Sequence, residues 1–194
     1  MRLGVLVSGR GSNLEACLDA GLDVGVVISN RPGVRALAVA AAHGVRAHVL
    51  RRLDFSDALA RDHALGRLLT DEGVELAVLA GYDQLLRPAY FAAFCGRTIN
   101  VHPSLLPAHG GAGMMGLAVH RSVLACGDAE TGVTIHEVTP ELDAGPILAQ
   151  ARVPVMAGDD PEALAARVLV EEHRLLVETL RRLTGSRAVE VATA

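Results

Sequence analysis

Five short apolar runs in the first hundred residues constrain the fold more than any other feature of the chain. They are Leu3–Val7, Val24–Ser29, Val45–Leu50, Leu76–Leu79 and Thr98–Val101. Most are continuous rather than alternating, as in strands buried on both faces. The third is interrupted by Arg46 and His48. Helix-like segments separate them: Asn13–Ala20, the Ala-rich Val34–His43 stopped by Gly44, and a long segment running to about Glu72 and stopped by Gly73. Asp54 or Ser56 is the expected cap of the long one. The pattern predicts βαβ units around a parallel sheet covered by helices.

The second half changes character. Gly132–Val138 (GVTIHEV) alternates, and Ile147–Val155 is another extended run. The link between them is too short for a crossover helix, so an antiparallel pair is expected. Asp159–Leu183 reads as an amphipathic helix capped by Asp159 or Asp160, with Pro161 in its first turn and Gly185 at its end. No linker or repeat divides the 194 residues. The expected architecture is one three-layer α/β domain, with a mostly parallel, Rossmann-like sheet and an antiparallel C-terminal edge.

Composition narrows the function. The chain is 51% hydrophobic, which argues against disorder. A net charge of -4, 3% aromatic residues and no Trp give no electrostatic or stacking case for nucleic acid. Cys17, Cys95 and Cys126 have no CxxC spacing and read as reduced thiols of a cytoplasmic protein. No run reaches transmembrane length. HExxH is absent and no metal site is expected.

Ligands of open α/β sheets bind beyond the C-terminal strand ends. Three loops there are unusual. SGRGSN, Ser8–Asn13, places the amides of Gly11, Ser12 and Asn13 at a helix start, an arrangement suited to a single phosphate. A dinucleotide fingerprint fits poorly, because its third glycine falls on Leu14 and the next strand ends in Ser29-Asn30. AGYDQLLRP, Ala80–Pro88, is either the wall of a flat-ligand pocket or an ordinary connection.

The third loop follows RTINVHPSLLP. Strand alternation puts Asn100 and His102 on one face and Ile99 and Val101 on the other. Downstream, Asp143 precedes Ala144-Gly145-Pro146, a turn that presents a carboxylate rigidly. Imidazolium and amide together suit a developing oxyanion, and a carboxylate beside the histidine favours its charged form. No Ser or Cys is placed as a nucleophile, so direct attack by a substrate amine fits acyl transfer best. His43, His48, His63 and His109 read as surface or loop residues, while His136 is either structural or part of the cleft.

SGRGSN, INVHPSLLP, TGVTIHEVTPELDAGPILAQARVPV and ARVLVEEH, in this order and spacing, resemble the folate-dependent glycinamide ribonucleotide formyltransferases. The resemblance runs from Leu3 to about Leu180 and implies one formyltransferase domain over 1–194. Residues 1–100 would form a ribonucleotide and phosphate half, and 101–194 a catalytic and folate half. It implies formyl transfer from 10-formyltetrahydrofolate, as co-substrate, to the amine of glycinamide ribonucleotide in purine synthesis, with no metal.

By motif, Asn100, His102 and Asp143 match the catalytic trio. Gly11, Ser12 and Asn13 match the phosphate loop, and Glu172 the acid contacting the ribonucleotide. Gln84, Leu85 and Leu86, with Thr139, Pro140, Glu141, Leu142 and Asp143, match the folate-binding backbone. The Gly-rich Ala108–His120 segment is expected to form a flap over the ribonucleotide. A monomer or homodimer is implied, with neither nucleic acid nor membrane as partner. Another amine acceptor, a formyltetrahydrofolate hydrolase and a non-catalytic nucleotide-binding module are the competing readings.

Overall fold

The computed structural model describes residues 1–185; the tail of the expected domain, 186–194, lies outside the described residues. Leu3–Val7 (β1), Val24–Ser29 (β2), Arg46–Val49 (β3), Leu76–Leu79 (β4) and Arg97–His102 (β5) pair in parallel. Glu130–Glu137 (β6) runs antiparallel to β5, and Ile147–Pro154 (β7) antiparallel to β6. The order is β3-β2-β1-β4-β5-β6-β7. Strand order reverses between β1 and β4, which opens a crevice beyond their C-terminal ends.

Helices cover both faces because successive strand residues point to opposite sides. Leu3, Val5 and Val7 pack in one cluster with residues of Ser12–Asp19 (α1), Arg35–Ala42 (α2), Leu117–Cys126 (α5) and Pro161–Thr184 (α6). Leu6, Val26 and Ile28 face the other way, against Ala58–Asp71 (α3) and Pro88–Ala93 (α4). Asp160 caps α6, accepting the Ala163 N–H at 2.7 Å. Among the described residues, no helix is long and apolar enough to cross a membrane.

Three local expectations shift. The cap of α3 is Asp57, which accepts the Ala60 N–H at 2.8 Å. Asp54 instead pairs with Arg51 across a short 3-10 turn, and Ser56 donates to Asp57. β3 is shorter than expected because it is an edge strand, with Arg46, Ala47 and Val49 exposed. Of the expected flap, Leu117–His120 is the first turn of α5.

Candidate active site

A cleft of about 900 Å³ lies over the crevice, walled by the loops after β1, β4, β5 and β6 and by α5 and α6. Ile99 and Val101 are in the helix-covered core, which leaves Asn100 and His102 aimed at this cleft. The turn after β5 is tied down from below. Ser104 Oγ donates to the Ala108 carbonyl at 2.6 Å, and buried Thr134 Oγ1 donates to the Ser104 carbonyl at 2.7 Å. Gln150 Nε2 donates to Thr134 Oγ1 at 2.9 Å and to the Leu106 carbonyl at 3.0 Å.

Asn100 stands opposite His136 in the β5–β6 register, its Nδ2 3.1 Å from His136 Nε2. His136 Nδ1 lies 2.9 Å from the Glu137 carbonyl oxygen, so Nδ1 carries the proton and Nε2 accepts from the Asn100 amide. Burial holds the His136 pKa below its ordinary value, which keeps this acceptor available. One Asn100 N–H is thereby fixed, and its second is left for the cleft.

His102 Nε2 donates to the His109 carbonyl at 2.9 Å, while its Nδ1 is 3.9 Å from Asp143 Oδ2. Asp143 Oδ1 is 3.7 Å from His136 Nε2, so one carboxylate faces both imidazoles. Its backbone is left-handed (φ 53), and its Oδ2 accepts the Gly111 N–H at 2.8 Å. Gly145 has no alternative: a Cβ there would lie 1.9 Å from the Glu137 carbonyl oxygen. The AGP turn can therefore press against β6 and present Asp143.

Gly9–Asn13 line the same cleft. Gly11 is left-handed (φ 75), and a Cβ would meet Ala36 Cβ at 2.6 Å, so two constraints require glycine before α1. Asn13 Nδ2 donates to Glu172 Oε2 at 2.8 Å, joining α1 to α6. Burial pushes the Glu172 carboxyl above the usual carboxylate range, opposed by Asn13 and the Arg10 charge.

The β4 loop is held by a buried ion pair. Arg61 and Asp62 are 3% and 0% exposed, and Arg61 Nε donates to Asp62 Oδ1 at 2.8 Å. Arg61 also donates to Gln84 Oε1 at 2.7 Å and to the Leu85 carbonyl at 3.1 Å. Asp83 accepts from Ser8 Oγ at 3.1 Å and Asn30 Nδ2 at 2.6 Å and pairs with Arg31, linking the loops after β1, β2 and β4.

The cleft brings together Asn100, His102, Asp143, Gly11, Ser12, Asn13, Glu172, Gln84, Leu85, Leu86, Thr139, Glu141 and Leu142. Pro140 is the exception: it is exposed and lies off the cleft wall. Gly111–Gly116 of the expected flap do line it. His109 is a loop residue, as expected, but not a surface one: its side chain is only 11% exposed and bonded to Asp128 and Ser122. His120 was not singled out in the sequence. It is buried, its Nδ1 has no partner, and burial together with the His102 charge lowers its pKa. Only the placement of α5 after the Gly-rich segment brings it to the cleft, and no local sequence signal marks it. Among the described residues, no group of three His, Cys, Asp or Glu could hold a metal ion.

Asn100, His102 and Asp143 converge on a switch-point crevice beside the Gly11–Asn13 loop, an arrangement suited to acyl transfer. The profile of the formyl transferase family matches residues 1–180, and the chain belongs to that family. Within the family it falls among the phosphoribosylglycinamide formyltransferases. It is 39% identical over 181 residues to the phosphoribosylglycinamide formyltransferase of Escherichia coli (strain K12), covering 90% of this chain and 83% of that one. It is 40% identical to the chloroplastic phosphoribosylglycinamide formyltransferase of Arabidopsis thaliana, over 96% of this chain and 66% of that one. The crystal structure of glycinamide ribonucleotide transformylase 1 from Symbiobacterium toebii superposes with a TM-score of 0.90 at 41% identity, over 96% of this chain and 89% of that one.

Proposed function

We propose that this enzyme transfers the formyl group of 10-formyltetrahydrofolate to the amine of glycinamide ribonucleotide, a step of purine biosynthesis. One observation carries the reading: Asn100, His102 and Asp143 line the same cleft as the Gly11–Asn13 anion loop. The folate fits that cleft, because Leu85 and Leu142, each 47% exposed, offer apolar surface on its wall. Gln84–Leu86 and Thr139–Asp143 hold the ring, with Pro140 contributing only to the shape of its loop. Gly11, Ser12 and Asn13 bind the phosphate, and Glu172 reaches the ribonucleotide from α6. Residues 1–100 thus carry the phosphate loop, Asn100 and the Gln84–Leu86 part of the folate wall, and residues 101–194 carry His102, Asp143, Glu172 and the rest of that wall.

When bound, the folate supplies an electrophilic formyl carbon and, at N10, the leaving nitrogen. The glycinamide amine attacks that carbon directly. The second Asn100 N–H and a protonated His102 Nδ1 stabilise the oxyanion that develops. Asp143 faces that imidazolium and, through water, assists movement of the amine proton toward the departing nitrogen. The enzyme works in the cytoplasm, as a monomer or homodimer.

A coupled assay with glycinamide ribonucleotide and 10-formyltetrahydrofolate tests the reading. Tetrahydrofolate should form only with the ribonucleotide present. Formation with water alone would make it a hydrolase, and formation only with another amine would change the acceptor. Asp143→Asn should lower formyl transfer by about 10²–10⁴-fold while both substrates still bind.

A further inference from the structure

His109 touches the catalytic groups through its backbone. Its side chain bridges to α5 and just beyond it: Nε2 is 2.6 Å from Asp128 Oδ2 and Nδ1 is 2.8 Å from Ser122 Oγ. A carboxylate only accepts, so Nε2 carries a proton, while the serine hydroxyl can serve Nδ1 in either sense. The His109 backbone is left-handed, with φ 53. A non-glycine residue seldom adopts this conformation, although histidine does so more often than most, and the surroundings must hold it there. The bonds to Asp128 and Ser122 supply that hold. From this backbone the His109 carbonyl accepts the His102 Nε2–H at 2.9 Å. Two residues on, the Gly111 N–H donates to Asp143 Oδ2 at 2.8 Å. A three-residue span therefore makes one contact with each of two catalytic side chains.

We propose that His109 is a positioning residue for formyl transfer: anchored by Asp128 and Ser122, it fixes His102 with a proton on Nε2 and with Nδ1 toward Asp143. The nitrogen that exchanges a proton with the reacting groups is then Nδ1 alone. Ser122, His109 and Asp128 have the side-chain order of a hydrolytic triad, but Ser122 is not on the cleft wall, so it is given no nucleophilic role. The inference rests on the formyl-transfer reading for its kinetic consequence. Its structural consequence is independent of that reading.

The experiment pairs ¹⁵N-histidine NMR of the substrate-free protein with steady-state kinetics of His109→Ala, His109→Gln and Asp128→Asn. Neutral wild-type His102 should be the Nε2–H tautomer, and His109→Ala should populate both. A misplacement of about 1 Å costs on the order of 10²-fold, so kcat of His109→Ala should fall ten- to hundredfold. Both KM values should stay within about threefold. Gln can bond to both Asp128 and Ser122, and His109→Gln should recover most of kcat. Asp128→Asn, which keeps side-chain volume, should give an intermediate loss and remains informative where His109→Ala fails to fold. Unchanged His102 tautomer signals in the variants would overturn the proposal. So would kcat and both KM values moving together with thermal stability, or equal losses in the Ala and Gln variants. An inactive wild type would sink the functional reading alone, because the tautomer measurement needs no substrate.

Discussion

Asn100 and His136 form a hydrogen-bonded pair across β5 and β6, with Nδ2 3.1 Å from Nε2. The pair decides which way the Asn100 amide faces. If the amide were flipped, its oxygen would meet the imidazole lone pair and point the donor away from the oxyanion. His136→Leu removes the acceptor and leaves the amide to rotate. At saturating substrates, kcat should fall roughly 10–100-fold, less than the roughly 10²–10³-fold cost of removing an oxyanion donor outright, because the Asn100 amide remains. His136→Gln keeps an acceptor oxygen and should lose less. Glycinamide ribonucleotide affinity should hold in both, because the hydrogen bonds of His136 go to Asn100 and Glu137 and not to the Gly11–Asn13 loop.

Burial lowers the pKa of His120, His136 and His173. The folded state therefore binds these protons less tightly than the unfolded chain. Their contribution to stability is complete above the unfolded value of about 6.5 and is lost as pH falls through it toward the depressed folded values. His43, raised by its Val39 carbonyl contact, and Glu172, raised by burial, act in the opposite sense. A difference measurement isolates one group. The urea midpoint of His120→Leu relative to wild type should shift in the variant's favour as pH is lowered from about 7.5 to about 5.5. A constant difference would mean that His120 titrates alike in both states.

The Arg61–Asp62 pair is buried, and breaking it should be far costlier than replacing it. Asp62→Ala leaves the guanidinium without its carboxylate and should destabilise by about 3–5 kcal/mol in urea titration. An Arg61→Met, Asp62→Leu double variant should cost much less. Both variants should raise KM for the folate, because both disturb the side chain that bonds Gln84 and the Leu85 carbonyl. Parallel losses in the single and double variants would place the pair's worth in its charges.

Three inner strands were legible to the residue, whereas β5 runs one residue further at each end than its apolar run and β6 starts two residues earlier and ends one earlier than expected. β1, β2 and β4 match their apolar runs because the space between two helical layers takes almost only apolar side chains, with Ser29 at the end of β2 the polar exception. β3 was misjudged at both ends because an edge strand has one solvated side and needs no such run. The α4 helix, six residues long, was missed because it buries only Tyr90, a signal too short for periodicity. The cleft residues that share a motif with Asn100, His102 and Asp143 could be read from the chain. His136 required the β5–β6 register, and His120 and His109 required knowing where α5 lies, neither of which is encoded locally.

Glu172 carries a stability cost that the proposed contact with the ribonucleotide would explain. Its pKa is raised because burial disfavours the carboxylate. The cost is absent below the unfolded value of about 4.3, grows as pH rises through the raised folded value, and stays constant above it. Glu172→Gln removes the charge but keeps an oxygen to accept from Asn13. Its thermal midpoint should equal or exceed that of wild type at about pH 7.5 and approach it near pH 4. The same substitution should raise KM for glycinamide ribonucleotide roughly 10–100-fold, as expected for loss of a hydrogen bond to a charged group. A midpoint that drops at neutral pH, with KM unchanged, would instead make Glu172 an anchor for the phosphate loop and no ligand of the substrate.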